Sequence, residues 1–372
     1  MKVIIAAAGT GGHINPGIAI ANKIKEKNKN AEIIFIGTTR GLENDLVPKA
    51  GYKLKTIDAF GLSKKISIET IKKLIKTYQG IGQARRIIKD FKPDIVIGMG
   101  GYICGPVMLA AKKEKIPRLL HESNAFPGKA VKMLSKHVNK ILVGFEVAKQ
   151  RLPQPEKVIT TGNPSKIKKI NYTEADRKTE LNRLKLDINK PVILIFGGSQ
   201  GAQKINEAVT EIIEKKLNSN YQIIWAAGPK QYDIIKEKLE ENHINIQNIQ
   251  GVRIEAYIYD MEKIMNLSDV VIARSGALTI TEIAIVGKPA IFIPLPNVSE
   301  NHQEYNARVL ADKGAAIIVK NNEVNASILN DKIEELIKDK NRLKQMGENA
   351  NKAARYDVEE KIYCEIEKMI GK

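Results

Sequence analysis

Arg274-Ser-Gly-Ala-Leu-Thr-Ile-Thr-Glu282 compresses a strand exit, a tight loop and a helix start into nine residues. The run Asp269 to Ala273 before it is β-branched and apolar, like a buried parallel strand, and Ser275-Gly276 offers a small cap for the helix that follows. Backbone N–H groups at such a start point outward at the positive end of the helix dipole, where phosphate is favoured. Glu282 lies further along the same helix. Helical side chains lean toward the N-terminus, so its carboxylate can reach back and accept from vicinal hydroxyls such as a ribose diol. Thr279 shares that face. The plainer alternative is an ordinary capped helix with a solvated glutamate.

A second constellation stands at the start of the chain. The strand Val3 to Ala8 runs into Gly9-Thr10-Gly11-Gly12-His13, and a helical pattern follows through Ile18, Ile20, Ala21 and Ile24. Glycines let backbone amides approach a ligand closely. A dinucleotide fingerprint would need a third glycine where Ile14 stands and an acid about twenty positions on. The next strand, Glu32 to Ile36, ends instead in Gly37-Thr38-Thr39-Arg40, which disfavours NAD although Arg40 suits a 2′-phosphate. A lone histidine is ordinarily packed or solvated. His13, however, follows a strand exit, where open parallel sheets bind their ligands and where a general base belongs.

Further polar groups gather after other strands. Asp94 to Ile97 opens into Gly98-Met99-Gly100-Gly101-Tyr102, and Arg118 to Leu120 leads to His121-Glu122-Ser123-Asn124. Satisfied loop polar groups and ligand contacts both fit this cluster. Pro294 to Gln303 reads as a rigid loop presenting amide and acid side chains. There is no HExxH and no Asp-x-Asp, so neither a zinc site nor a carboxylate-held metal at a diphosphate is implied.

The elements that must position these residues come in two similar sets. After the strand Lys140 to Val143, a polar, lysine-rich stretch through Gln150-Arg151-Leu152-Pro153 and Thr161-Gly162-Asn163-Pro164 to Lys178 reads as a linker. The pattern then restarts with strand Val192 to Phe196, loop Gly197-Gly198-Ser199-Gln200-Gly201 and a helix from Ala202, and continues through Gln222 to Ala226, Tyr232 to Glu241 and Ala290 to Ile293. This alternation predicts an α/β protein of two doubly wound, Rossmann-like domains facing across a cleft. The expected domains are 1–163 and 164–372, with the last helix, about 345–372, packing back on the first.

Composition bounds the partners. The chain has 372 residues, 43% of them hydrophobic, enough for two cores, and a net charge of +18 that calls for an anionic partner. Nucleic acid is disfavoured by 5% aromatic content and the lack of a binding motif. Cys104 and Cys364 are the only cysteines, with no CxxC, so no disulfide framework is expected. The apolar N-terminus is too short for a signal peptide, and no run of about eighteen apolar residues could span a membrane. The stretch Ile68 to Phe91 has helical spacing, with Gly80 and Gly82 as potential interruptions. Its stripe of Leu74, Ile75 and Tyr78, beside Lys72, Lys73 and Lys76 and preceded by Leu62-Ser63-Lys64-Lys65-Ile66, fits an anionic membrane surface. An amphipathic helix ordinarily packs such a stripe on its own core.

The seven motifs Gly9 to His13 with Pro16, Gly100-Gly101-Tyr102, His121 to Asn124, Thr161 to Pro164, Gly197 to Gly201, Arg274 to Thr279 with Glu282, and His302-Gln303 together resemble the bacterial MurG glycosyltransferases along nearly the whole chain. The resemblance implies a GT-B fold and transfer of N-acetylglucosamine from UDP-N-acetylglucosamine to the 4-hydroxyl of the muramoyl sugar of lipid I (undecaprenyl-pyrophosphoryl-N-acetylmuramoyl-pentapeptide). Lipid II and UDP are the products, with inversion, at the cytoplasmic face of the cell membrane; no cofactor is expected, and the missing Asp-x-Asp argues against a metal. It places Thr10, Gly11, Gly12 and Asn124 near the donor sugar and diphosphate, and Ser199 on phosphate. Ile258 falls to the uracil, Ala277, Leu278, Thr279, Ile280, Thr281 and Glu282 to diphosphate and ribose, and Gln303 to sugar hydroxyls. His13 is the implied base, Glu122 the next candidate, and Tyr102 a substrate contact. One departure is Ser165-Lys166, where the family often continues to an arginine; Lys166 keeps the charge but loses the planar fork. The rival is an enzyme like UDP-N-acetylglucosamine 2-epimerase, which shares the fold.

Overall fold

The computed structural model describes residues 1–61, 67–198, 201–246 and 249–371, which form two compact units, Met1–Lys166 with Arg355–Lys372 and Ile167–Ala354. In the first unit β1 (Lys2–Ala6), β2 (Glu32–Gly37), β3 (Lys53–Thr56), β4 (Ile95–Gly98), β5 (Arg118–Glu122), β6 (Lys140–Val143) and β7 (Val158–Thr160) form a sheet in the order β3-β2-β1-β4-β5-β6-β7. The second unit has β8 (Val192–Phe196), β9 (Gln222–Ala226), β10 (Val252–Glu255), β11 (Val270–Ala273), β12 (Ala290–Phe292) and β13 (Ala316–Ile318), ordered β10-β9-β8-β11-β12-β13. Every pairing is parallel. Helices cover both faces, which is why the central strands read as unbroken apolar runs: Val3 to Ala6 and Val192 to Ile195 are wholly buried.

Strand order reverses between β1 and β4 and again between β8 and β11, the kind of switch point at which open parallel sheets bind ligands. The registers end level there. Ala6 pairs with Gly98 and Phe196 with Ala273, so each glycine loop emerges beside the loop of the neighbouring strand.

The terminal helix Val358–Ile370 belongs to the first unit. Its Val358, Ile362, Tyr363 and Ile366 join Val3, Ile5, Ile14 and Ile18 in one core, and Glu360 pairs with Lys23 at 3.1 Å and Lys27 at 2.8 Å. The helix Lys340–Ala353 stays in the second unit, where Met346 lies in the core.

Three expectations are corrected. The stretch read as a linker contains β7 and the helix Glu174–Arg183, started by a reciprocal capping box between Thr173 and Asp176. His121 and Glu122 end β5 instead of following it. The helix Ile68–Phe91 passes through Gly80 and Gly82 without a break, and Gly80 is where it meets another segment: a Cβ there would lie 2.0 Å from the Asp58 carbonyl oxygen. Only Gly80, Ala84 and Ile88 of this helix are buried, whereas Ile68 is 76% exposed and Tyr78 71%, with Ile71, Leu74 and Ile75 exposed between them. The apolar stripe is therefore not spent on the core.

Candidate active site

In the first unit, the level ends of β1 and β4 bring His13 against the second glycine loop. A Cβ on Gly100 (φ +86°) would sit 3.3 Å from His13 Cδ2, and one on Gly101 (φ +74°) 3.3 Å from its Cε1. The ring thus rests on bare backbone that only glycine supplies in this left-handed conformation. Gly9 approaches the Tyr102 ring, with 3.9 Å from its Cβ position to Cε1. Thr10 precedes the helix Gly11–Lys27 without capping it, which leaves the Gly11 and Gly12 amides without an intrahelical acceptor.

The cluster after β5 is internally bonded. Glu122 Oε1 accepts from the Asn124 backbone and side-chain nitrogens at 2.9 and 3.0 Å, and Oε2 accepts from Gly128 N at 2.8 Å. Burial pushes the Glu122 pKa up, opposed by those bonds and by Lys132. His121 is fully buried, with Nε2 3.2 Å from the Gly162 carbonyl, and burial pushes its pKa down to about 4. It is neutral at physiological pH, and Nε2 donates to that carbonyl. Asn163 Nδ2 donates to the Ser123 carbonyl at 3.0 Å, so this motif knots β5 to the segment after β7. Lys166 is exposed. Arg40 takes no ligand-facing pose: its Nη2 donates to the Ala59 carbonyl at 2.7 Å and its guanidinium stacks on Phe60.

Glu43 was not legible as a site residue. It is fully buried and accepts from Gly9 N at 2.9 Å, Thr38 N at 2.9 Å and Thr38 Oγ1 at 2.8 Å. Burial favours its protonated form, but these hydrogen bonds outweigh that and hold its pKa below the usual carboxylate value.

In the second unit, in the loop after β8, a Cβ on Gly197 would lie 2.4 Å from Ala202 Cβ, and one on Gly201 (φ +77°) 2.5 Å from the Ala227 carbonyl oxygen. Ser199, expected on phosphate, lies outside the described residues. Next to this loop starts the helix Ala277–Val286. Ser275 does not cap it, contrary to expectation: its Oγ donates to the Gln303 carbonyl at 2.8 Å, because that tertiary acceptor lies within reach. Gly276 occupies the capping position with no side chain to offer, so the N–H groups of Ala277, Leu278 and Thr279 have no intrahelical acceptor. Arg274 Nη1 donates to the Ile293 carbonyl at 2.8 Å, and Gln303 Oε1 accepts from Leu295 N at 2.9 Å, fixing the loop after β12. Gln303 itself lies on the helix His302–Ala311, not in that loop.

Within the helix Ala277–Val286, Ile280 and Thr281 are buried, and Thr281 Oγ1 donates to the Ala277 carbonyl at 3.0 Å. Glu282 differs. It makes no hydrogen bond or ion pair with the described residues, and burial pushes its pKa up to about 7. Ile258 is buried, whereas its neighbours in sequence, Tyr257 and Tyr259, are exposed and their rings meet edge-on at 5.0 Å. Among the described residues, no group of three His, Cys, Asp or Glu side chains is placed to hold a metal ion.

Comparison with known proteins defines the class. Residues 3–143 match the glycosyltransferase family 28 N-terminal domain and 192–362 its C-terminal domain. The Acetivibrio thermocellus UDP-N-acetylglucosamine--N-acetylmuramyl-(pentapeptide) pyrophosphoryl-undecaprenol N-acetylglucosamine transferase is 43% identical over 364 residues, covering 98% of this chain and 96% of its own. The enzyme of the same name from Ruminiclostridium cellulolyticum is 41% identical over the full length of both. The crystal structure of Acinetobacter baumannii MurG superposes with a TM-score of 0.78 at 29% identity, over 99% of both chains. A UDP-N-acetylglucosamine 2-epimerase from Neisseria meningitidis, at 18% identity and a TM-score of 0.64, shares the fold alone.

The fold and these relatives define a glycosyltransferase of the GT-B class. More narrowly, the chain belongs to the MurG family of N-acetylglucosaminyltransferases.

Proposed function

We propose that this enzyme forms lipid II from UDP-N-acetylglucosamine and lipid I with His13 as the general base and with the helix start at Ala277, together with Glu282, as the nucleotide seat. His13 takes the proton of the muramoyl 4-hydroxyl as that oxygen bonds to C1 of the donor sugar. The bond from C1 to the diphosphate breaks on the opposite face, and UDP leaves with the electron pair. The amides of Ala277, Leu278 and Thr279 receive the charge that develops on it. The observation that carries this reading is Glu282, a largely buried carboxylate without a partner among the described residues and six residues beyond the Gly276 cap position, suited to accept from a ribose diol. Glu122, whose oxygens already accept three N–H bonds, holds the Asn124 loop in place.

The test is UDP release from UDP-N-acetylglucosamine with and without a lipid I analogue. Release should require the acceptor and survive excess EDTA, since no Asp-x-Asp is present to hold a metal at the diphosphate. Acceptor-independent conversion of the donor to its C2 epimer, with no free UDP, would favour the epimerase-like alternative, and loss in EDTA restored by magnesium would overturn the metal-free seat.

The acceptor lipid cannot leave the bilayer, so the enzyme works at the cytoplasmic membrane face. Among the described residues no helix is long and apolar enough to cross a membrane. The exposed stripe Ile68, Ile71, Leu74, Ile75 and Tyr78, flanked by exposed Lys72 and Lys76, supports shallow insertion into an anionic surface. Lys64 and Lys65, the other lysines expected there, lie outside the described residues. At about 1 kcal/mol per basic residue, Lys72→Glu with Lys76→Glu should weaken binding to phosphatidylglycerol vesicles by at least roughly thirtyfold, and wild-type binding should fall steeply with salt. Unchanged cosedimentation would place the membrane surface elsewhere.

A further inference from the structure

Glu43 has no part in the reaction as described so far, yet the residues around it are shaped to its carboxylate. A Cβ on Gly41 would lie 1.9 Å from Glu43 Oε2, and one on Gly37 2.7 Å from Glu43 Cγ. Burying a charge completely is costly unless every lone pair of consequence is met, and here three donors from two strand-exit loops meet it. One donor is the amide of Gly9 (φ +91°), which immediately precedes Thr10, Gly11, Gly12 and His13. A second tie runs the other way, from Leu42 N to the Gly9 carbonyl at 3.3 Å. The first residue of the glycine loop is thus held at both its amide N–H and its carbonyl oxygen by the segment after β2. An internal anion consumes the Gly9 amide, and the Gly11 and Gly12 amides are the ones left to face outward.

We propose that Glu43 is a positioning residue for glycosyl transfer: it sets the course of the loop that carries the Gly11 and Gly12 amides and His13. This rests on the reading of that loop as part of the transfer machinery. Glutamine is the informative replacement, because it keeps the volume but presents an NH₂ group where a second oxygen accepted. Either the Gly9 amide or the Thr38 donors then face a donor, and the loop must shift. Gly41→Ala attacks the same contact with the charge intact, since its Cβ would lie 1.9 Å from Oε2 and 2.9 Å from the Gly9 nitrogen that donates to it.

The experiment measures kcat and KM for UDP-N-acetylglucosamine with a lipid I analogue, alongside donor affinity by calorimetry and the thermal midpoint, in the full chain. Glu43→Gln and Gly41→Ala should each lower kcat by about tenfold or more, the scale of a small misplacement of reacting groups, with donor affinity and KM within about threefold of wild type. The double variant should be no worse than the weaker single, because both break one contact. A kcat within about twofold for Glu43→Gln overturns the proposal, as does a kcat loss matched by lost donor affinity and a lowered midpoint, which is the mark of general unfolding. If the glutamine variant does not fold, Gly41→Ala decides on the same terms. His13→Ala run in parallel separates the two ideas. A silent Glu43→Gln with an impaired His13→Ala sinks positioning alone; an impaired Glu43→Gln with a silent His13→Ala keeps positioning of the amides and sinks the base assignment; silence in both sinks both.

Discussion

His13→Ala should lower kcat by about 10²- to 10⁴-fold while KM for UDP-N-acetylglucosamine changes by no more than about threefold. The expected split follows from placement. His13 belongs to the first unit, whereas the uncapped helix and Glu282 belong to the second, so removing the imidazole leaves the nucleotide seat whole. Folding should also survive. His13 lies in the first turn of its helix, alanine is the better helix former, and the ring packs on the backbone of Gly100 and Gly101 without filling a core. A pre-steady-state measurement of the transfer step keeps slow product release from hiding the loss. Turnover within a few-fold of wild type would remove His13 from the role of base and leave Glu122 as the next residue to replace.

Much of the fold was legible because its strands are parallel and covered on both faces. Runs such as Val192 to Phe196 have no polar alternation to confuse them, and each ends in glycines that mark the turn. Elements at the sheet margins were not. β3 is Lys53-Leu-Lys-Thr, an edge strand whose side chains meet water, and the helix Glu174–Arg183 hides its capping box in a run of charge. The apolar stripe of Ile68–Phe91 was undecidable from spacing alone, for a reason of length. A 24-residue helix extends about 36 Å, while the four-residue strands beside it span about 13 Å. Its C-terminal part packs against the helix Cys104–Lys113 and its N-terminal part runs past the layer.

The backbone of the candidate site was legible in the sequence, and its carboxylates only in part. Glycine at positions 9, 100, 101, 197 and 201 announces close approaches that the structure contains. Three glutamates stand near those loops; helix geometry pointed to Glu282 and a strand-exit motif to Glu122, but nothing local marked Glu43. Glu43 and Glu122 turn inward and accept from backbone amides, whereas Glu282 bonds to none of the described residues. What separates them is tertiary: which amides the neighbouring strand exits bring within 3 Å. The same competition redirected Ser275, whose hydroxyl finds the Gln303 carbonyl in place of the helix it precedes.

Glu282→Gln should therefore move affinity and stability in opposite directions. With burial raising its pKa to about 7, the unliganded carboxyl is half protonated near neutrality, and only the ionised form is a full acceptor for the ribose diol. Donor binding then lowers that pKa and releases a proton. The affinity for UDP-N-acetylglucosamine, whose diphosphate diester does not titrate in this range, should fall by up to about tenfold per unit as pH drops below 7 and be flat above about 8. Glutamine should abolish this dependence and weaken binding at pH 8 by about 1–3 kcal/mol, and a 2′-deoxy donor should lose less in the variant than in wild type. Stability has the other sign. A carboxyl whose folded pKa lies above its unfolded value stabilises the protein fully below the unfolded value, near 4.5, and that contribution is lost as pH rises through about 7. The unliganded wild type thus carries a strained charge at pH 8 that costs up to about 3 kcal/mol, and the neutral glutamine relieves it. Thermal melts without ligand at pH 8 should show the variant more stable than wild type, with the gap closing toward pH 5. A variant that melts lower at pH 8 and binds the donor as well as wild type would mean that Glu282 is partnered in the free enzyme and is not the acceptor of the diol.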